Sequence, residues 1–596
     1  MRDLFSDPPN WDARLRSQRV ETHSAGGPGE SVTVTSAAAI VQTGFELGLL
    51  DRLANPLFLA IERKTEQALT HLIYEAIIPK PIHFQQLGMN AATPMIIRRE
   101  MLQTIDESWG RSDESWIDIV AVPMDYRLDL NDDGTIEFKR TKLRGLVGAR
   151  AHILSRETVG KFLSMKDGTT VAALLGFELP LKINMHNLIR YHSACLGFTG
   201  SGKSNLTSHL MRKALEALPD LHIIIFDIAG EYFVNLADLF ADAKHRVYST
   251  EKKIRDADRL LDAQVVPETL EADPTFEEKL RAIAERIISE KRFLHINVED
   301  PEESDIFSSL LDKLKMEEKS GRAGATQAPT IRAELDRLLT EDGLTEETLF
   351  KSLTDGQKKK FSEYLSIEAD GMGKSSALYS LLKSAANMIT TSLPGSEKIR
   401  AALGPKKLAE VMLQTDRAGA ISLIYIPEPT HAREFVSQFI KQLLYLKKTT
   451  GKAKEKVLII LDEAQEYIPL KPRKEDGTEE SSRAVEALLR QGRKYRAHCW
   501  LGSQRVAHLN VTALQQVHSY FINILPSTYD RMKIADAFGI SYDVLDKTVD
   551  LETGQWLFVS YKATQRKNVP VFVQTPNNED ALVKGLGIVM QSESRS

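Results

Sequence analysis

Along the chain the pattern of apolar and polar positions changes texture near residue 190. Before it, short runs of period-two alternation sit between turn signals: Val32 to Thr35, Ile117 to Val122, and Thr135 to Lys139 after Asp133-Gly134. Such runs predict strands with one face buried. A helical pattern is expected over about 56–77. After Tyr191 the runs become almost continuously apolar: His222–Asp227, Ile421–Ile426, Val457–Asp462, Cys499–Gly502 and Tyr520–Leu525, with helical stretches between them. Strands apolar on both faces and separated by helices predict a parallel sheet covered on both sides, an α/β core. Between about 254 and 410 this alternation is broken by charged amphipathic helices at 276–293, 331–339 and Ser376 to Ile389.

These shifts divide the chain into six parts. They are a flexible Pro- and Gly-rich N-terminus (1–30), a β-rich barrel-like domain (31–187), a core in two parts (188–253 and 411–565), a helical insert between them (254–410), and a C-terminal brace or tail (566–596). A length of 596 residues exceeds one hydrophobic core and fits roughly three or four domains of about 150 residues. The formal charge of −5 excludes a generally basic nucleic-acid coat but not a ring that touches phosphates through a few loops. Two cysteines, Cys195 and Cys499, both in apolar runs, leave no disulfide framework and fit a reducing compartment. No apolar run of signal-peptide or membrane-spanning length is read, so the expectation is a cytoplasmic protein without a membrane partner.

The most specific chemical signal is Gly197-Phe-Thr199-Gly200-Ser201-Gly202-Lys203-Ser204, between an apolar run (Ser193 to Leu196) and a helix expected from Asn205. Glycines let successive N–H groups turn inward around a phosphate, and the helix N-terminus adds its partial positive charge. Lys203 would reach the β- and γ-phosphates of ATP and the Ser204 hydroxyl would ligate Mg²⁺. The complementary acid lies at the end of Val457-Leu-Ile-Ile-Leu-Asp462-Glu463, with Asp462 for Mg²⁺ and Glu463 to polarise the attacking water. Gln504, after another apolar strand, is a candidate reporter of the γ-phosphate. Arg490, Arg493, Lys494 and Arg496 end a helix beginning near Ser481. They read either as cations placed at a helix C-terminus or as the source of an arginine acting on a neighbour's site, with Arg493 the best placed.

Taken together, Tyr191 to Asn205, Ile225 to Tyr232 (with Asp227 and Glu231), Leu461 to Glu466, Gln491 to Tyr495 followed by Ser503-Gln504, and Gln574-Thr-Pro576 resemble HerA-type translocases of the HerA/FtsK superfamily over about residues 140–580. The resemblance implies a RecA-like ATPase core, an N-terminal HAS-type β-barrel, a helical insert and a homohexameric ring around double-stranded DNA. It further implies a C-terminal segment bracing the adjacent subunit, an arginine acting in trans at Arg493, and a nuclease or other effector partner in anti-phage defence or DNA end processing. It places Asp227 and Glu231 near the nucleotide. From the residues alone, Asp227 reads equally as structural.

Other signals point away from calcium-loop and zinc sites. Asp129 to Gly134 imitates the start of a calcium loop, but Arg140 occupies the position of the required glutamate, so a hairpin turn is expected. Cys, His and acidic residues show no zinc-type spacing, and His192 reads as structural. Residues 471–480 read as a polar loop, solvated or facing a pore. Two functions follow: an ATP-dependent DNA translocase or helicase ring, or an ATP-gated ring scaffold that assembles and regulates an effector, with translocation secondary.

Overall fold

The computed structural model describes residues 4–588 apart from 28–29, 54, 67, 90–92, 111–113, 132, 301–305, 319–324, 373–375, 392–402 and 452–453. Pro28 and Gly29 of the N-terminal run, Asp132 of the expected turn, and 589–596 of the tail lie outside the described residues.

The first seven strands are β1 (Ala13–Gly27), β2 (Glu30–Gly44), β3 (Leu57–Lys64), β4 (Leu69–His83), β5 (Ser115–Leu130), β6 (Ile136–Arg140) and β7 (Arg150–Ile153). They form one sheet in the order β2-β1-β7-β3-β4-β5-β6, and β2 also pairs with β5. That last pairing closes a barrel, beyond which the β1–β2 ribbon runs on, since β1 meets β7 only at Ala13 and Arg14. Leu15, Val41, Leu59, Ile61, Leu72, Tyr74, Ile117, Ile119 and Ile153 fill its interior.

Here the structure corrects two expectations. Residues 13–27, expected in a flexible N-terminus, form β1, paired with β2 along almost its whole length. A two-stranded ribbon satisfies the backbone whether or not its side chains are apolar. Residues 57–64 and 69–83, within and beyond the stretch expected as helical, are strands. Leu57, Leu59 and Ile61 face the barrel interior while Phe58 and Ala60 face the rest of the molecule. A strand buried on both faces carries no period-two signal and is easily mistaken for a helix.

The remaining strands are β8 (Thr169–Leu174), β9 (Leu179–Ile183), β10 (Ser193–Leu196), β11 (Leu221–Asp227), β12 (Arg246–Ser249), β13 (Phe293–His295), β14 (Ile421–Tyr425), β15 (Lys456–Leu461), β16 (Ala497–Ser503), β17 (Ser519–Ile522), β18 (Gln555–Ser560) and β19 (Val571–Gln574). They make a second sheet in the order β13-β12-β14-β11-β15-β16-β10-β17-β18-β19-β8-β9. From β13 to β17 every pairing is parallel, and from β17 to β9 every pairing is antiparallel. The parallel part carries the long runs without alternation because helices such as Lys203–Ala217, Pro429–Thr449 and Thr478–Gln491 supply buried apolar side chains against it. This is the α/β RecA-like architecture, beside a barrel and a helical insert.

Three boundaries differ from those read along the chain. The β8–β9 hairpin, expected with the barrel, extends the large sheet through β19. In the expected insert, the Pro274–Ser289 helix buries Phe276, Leu280 and Ile287 in the main core, and β13 joins the main sheet. Among the described residues, the helices Phe307–Glu318, Ala328–Glu341, Asp355–Asp370 and Ala377–Thr391, with Phe350 and Leu353 between them, build a separate core, Phe307 lying against the rings of Phe350 and Phe361 at 4.9 and 4.8 Å. The core sheet also runs past residue 565, since β19 pairs with β18 and β8. Amphipathic spacing states that a helix has a partner but not which one.

Candidate functional site

The end of β10 lies between the ends of β16 and β17, and that placement builds the phosphate loop. Gly197 N–H donates to the Ser503 carbonyl at 3.1 Å and Phe198 N–H to that of Ile524 at 3.2 Å, so the loop leaves the sheet tied on both sides. A Cβ on Gly197 would stand 2.8 Å from Ser201 Oγ, which is itself buried without a partner. Gly200 and Gly202 adopt φ values of 82° and 89°, open to glycine at no steric cost. From Gly202 the Lys203–Ala217 helix begins with no side-chain cap, leaving its first N–H groups directed at the loop. Lys203 Nζ donates to the Phe198 carbonyl at 3.3 Å, folded back over the loop.

The neighbouring strand ends bring the acids alongside. In sheet order, β11, β15, β16 and β10 end in Asp227, Asp462, Gln504 and Gly197, at or one residue past their last strand position. Asp462 is 6% exposed, and a Cβ on Gly502 of the adjacent β16 would stand 2.6 Å from its Oδ1. Glycine there leaves the room the carboxylate occupies. Glu463 takes a left-handed backbone conformation with φ 51°, a sharp exit from the strand. Gln504 Nε2 and Gln465 Nε2 donate to the two Glu463 oxygens, Thr199 Oγ1 donates to Gln504 Oε1 at 2.5 Å, and Ser503 Oγ donates to Gln465 Oε1 at 2.7 Å. Thr199, Gln504, Glu463, Gln465 and Ser503 thus form one connected network across two strand ends and the loop.

Ser204 Oγ donates to Glu231 Oε2. Asp227 is otherwise engaged: its oxygens accept from the N–H groups of Gly230 at 2.7 Å and Tyr232 at 3.0 Å, closing the turn that presents Glu231. Burial raises the Asp227 carboxyl to about 6 despite those bonds. Burial, then the charges of Glu463, Glu231 and Asp227, raises Asp462 to about 8. Carboxylates that raise one another's proton affinity, next to a serine hydroxyl, are the hard oxygen donors that suit Mg²⁺, so the residues fit that ion.

Asn205 is drawn into a second set of contacts. Its Oδ1 accepts from Asn578 N–H at 2.6 Å and its Nδ2 donates to the Pro576 carbonyl at 3.3 Å. Thr553 Oγ1 donates to the Gly200 carbonyl at 3.1 Å and Gly554 N–H to that of Ser201 at 3.3 Å. Thr553, Gly554 and Asn578 therefore belong to the loop's wall, as does Gln465 to the Glu463 network. Sequence reasoning missed them because only the antiparallel β17–β18–β19 extension carries the C-terminal residues back to the loop.

Arg493 is not brought to this site. It lies in the 3-10 turn Gly492–Tyr495 ahead of β16, whereas Gln504 follows the end of that strand. Seven extended residues separate the two ends, about 20 Å. Its guanidinium sits 5.4 Å over the Tyr191 ring, beside a 590 Å³ cavity lined by His186, Arg190, Lys456, Lys494, Arg496 and His498. Ion-pairing to Glu486 holds Arg490 on the preceding helix. His192 accepts from Cys499 N–H at 3.0 Å and burial pushes it down to about 3, a structural group between strands. Asp133 accepts from Thr135 N–H at 2.9 Å in the β5–β6 turn. The 471–480 loop folds back on itself through Arg473 N–H to Thr478 Oγ1 at 2.7 Å. Among the described residues no helix is long and apolar enough to cross a membrane.

Comparison with known proteins adds to this geometry. The family model "Helicase HerA, central domain" matches residues 158–363. An uncharacterized protein of Aquifex aeolicus is 28% identical over 111 residues, a stretch covering 17% of this chain and 40% of that protein. Among solved structures, VirB4 of Thermoanaerobacter pseudethanolicus is 13% identical with a TM-score of 0.37, covering 70% of this chain and 97% of that one. The bacterial conjugative coupling protein TrwB is 13% identical with a TM-score of 0.35, covering 71% and 94%. The phosphate loop that opens the Lys203–Ala217 helix lies inside the range that the HerA central-domain model matches, so residues 158–363 are similar to that domain and carry its nucleotide loop.

Proposed function

We propose that the chain hydrolyses ATP as one subunit of a homohexameric ring that moves on double-stranded DNA in the cytoplasm. The observation that carries the reading is the separation of Arg493 from the Lys203 loop of its own chain by the length of β16. In this reading Lys203 is the cation that each subunit brings to the phosphates, and an identical neighbour presenting Arg493 adds a second for the transition state. Lys203 swings from the Phe198 carbonyl to the phosphates. Ser204 and Asp462 would hold Mg²⁺, which would supply neutralisation of phosphate charge. Glu463, oriented by Gln504 and Gln465, accepts a proton from the attacking water. Thr199 and Gln504 sense the γ-phosphate through the bond they share. A nucleic-acid track follows from the likeness of residues 158–363 to a helicase domain, and contact with a duplex backbone rather than its bases suits a motor.

The test is ATP hydrolysis by wild type and Glu463→Gln, with and without linear duplex DNA, alongside particle mass by light scattering. Hydrolysis stimulated by DNA in a ring-sized particle and abolished in the variant supports the motor. Hydrolysis by a monomer at the full rate sinks it.

A second reading, the ATP-gated scaffold for a nuclease or other effector in defence or end processing, has its own support. The Phe84–Gly88 and Met95–Ser108 helices expose Phe84, Leu87, Met95, Ile96 and Leu102 outside the barrel. Apolar side chains gathered on two adjacent short helices suit a docking surface. Hydrolysis indifferent to DNA but responsive to an added effector would favour this reading.

A further inference from the structure

Away from the nucleotide loop, the outer wall of the barrel gathers metal-binding side chains from three adjacent strands. In the β3–β4 ladder Glu62 stands directly opposite His71, and in the β3–β7 ladder His152 stands opposite Ala60. Ala60 and Glu62 are two apart on β3, so all three donors share one face, as cross-strand and diagonal neighbours. It is the outer face, because Ile61, Leu72 and Ile153, the neighbours of opposite parity, point into the barrel. One donor atom from each of Glu62, His71 and His152 lies within 4.8 Å of the others. Ligands around one ion stand about 3.3 Å apart, so an ion needs only a modest contraction.

Two further observations point to a ligand there. His71 is 5% exposed, and its Nδ1 has no hydrogen-bond partner. Meanwhile Asp7 is fixed by the Ile153 N–H at 2.7 Å and takes the Nδ1 of His152 at 2.7 Å, which leaves His152 Nε2 facing Glu62 Oε1 at 3.3 Å. A carboxylate on one imidazole nitrogen sets the tautomer that offers the other nitrogen to a metal. Phe5 roofs the group, with its ring 5.2 Å from that of His71 and 4.6 Å from that of His152.

The bland alternative is an ion triad, with a protonated His152 between Asp7 and Glu62, and the flanking carboxylates do raise its proton affinity. That arrangement leaves His71 as a buried neutral imidazole without a partner, beside a cation.

We propose that Glu62, His71 and His152 bind a zinc-type divalent ion on the barrel wall, with Asp7 as the positioning residue behind His152. Two imidazoles and one carboxylate with solvent access match the three-protein-ligand sites of zinc. Since Asp7 and Phe5 precede the first strand while the ligands sit on three others, the ion clamps the N-terminal segment to the barrel. The sequence hides the site because its donors are neighbours only through strand register.

The experiment uses the full chain, stripped with a strong chelator and dialysed against Zn²⁺ in excess Mg²⁺, which occupies the carboxylates of the nucleotide site. Zinc content by mass spectrometry and the thermal midpoint are then read for wild type, His71→Gln, His152→Gln and Asp7→Asn. Expected are one zinc per wild-type chain and a midpoint raised by zinc, both lost in the histidine variants. Asp7→Asn keeps the packing and should bind about 10- to 100-fold more weakly. Should the histidine variants fail to fold, Asp7→Asn and wild type decide. No zinc on wild type, or wild-type affinity in Asp7→Asn together with unchanged content in any folded histidine variant, overturns the proposal.

Discussion

Gln504 Nε2 donates to Glu463 Oε1, joining the ends of two adjacent parallel strands, β16 and β15. The other end of the same amide accepts from Thr199 in the phosphate loop. An amide is suited to this position because it presents a donor and an acceptor on one rigid plane. A group that displaces Thr199 from Gln504 therefore changes how Glu463 is held, and the loop and the carboxylate respond together.

From this follows a split between binding and turnover. Glu463→Gln should retain ATP binding and lose about 10²- to 10⁴-fold in hydrolysis, the usual contribution of a general base. Gln504→Ala removes one hydrogen bond to a charged group and should cost about ten- to a hundredfold. Equilibrium nucleotide binding and steady-state phosphate release, measured on the same preparations, check this. A proportional loss of binding in either variant would contradict it.

Complementation tests the shared site. Arg493→Ala should lower hydrolysis by about 10³-fold or more and leave nucleotide binding intact. Mixed with Glu463→Gln, itself inactive, it should regain activity, because a Glu463-bearing site can then meet an intact Arg493 from the other subunit. A mixture as inactive as its components, in particles shown to be mixed, would place Arg493 outside the reaction.

Gly502 offers a steric probe of Asp462. A methyl group at Gly502 would stand 2.6 Å from Asp462 Oδ1, so Gly502→Ala should shift the carboxylate and abolish Mg²⁺-dependent turnover. The accompanying destabilisation should be about 1–3 kcal/mol, as for overpacking elsewhere. Normal turnover in the folded variant would mean that Asp462 can move freely.

A pH effect is expected from Glu75, buried between barrel and core with neither carboxyl oxygen hydrogen-bonded. Burial raises its carboxyl to about 8 from the ordinary 4.5. The folded chain thus holds a proton that the unfolded chain releases, so this contribution is whole below about pH 4.5 and lost as pH rises through about 8. Glu75→Gln should therefore gain thermal stability over wild type between about pH 6 and about pH 9. Melting curves at both pH values decide; a constant difference would sink the idea.

The phosphate loop, the strand ending in Asp462-Glu463 and the parallel strands of the core were legible along the chain, because each depends on local chemistry. Glycines at positive φ, an apolar run and an acid at its end are properties of a few consecutive residues. Tertiary structure alone decided which strands are neighbours. It took β8 and β9 from the barrel into the large sheet, turned 57–64, within the stretch expected as helical, into a strand buried on both faces, and carried the large sheet on to β19. It also set Arg493 a strand's length from Lys203, joined Thr553 and Asn578 to the loop, and aligned Glu62, His71 and His152 on one face. Register and crossover connections fix those distances, and they arise from packing between segments far apart in the chain, which no local pattern records.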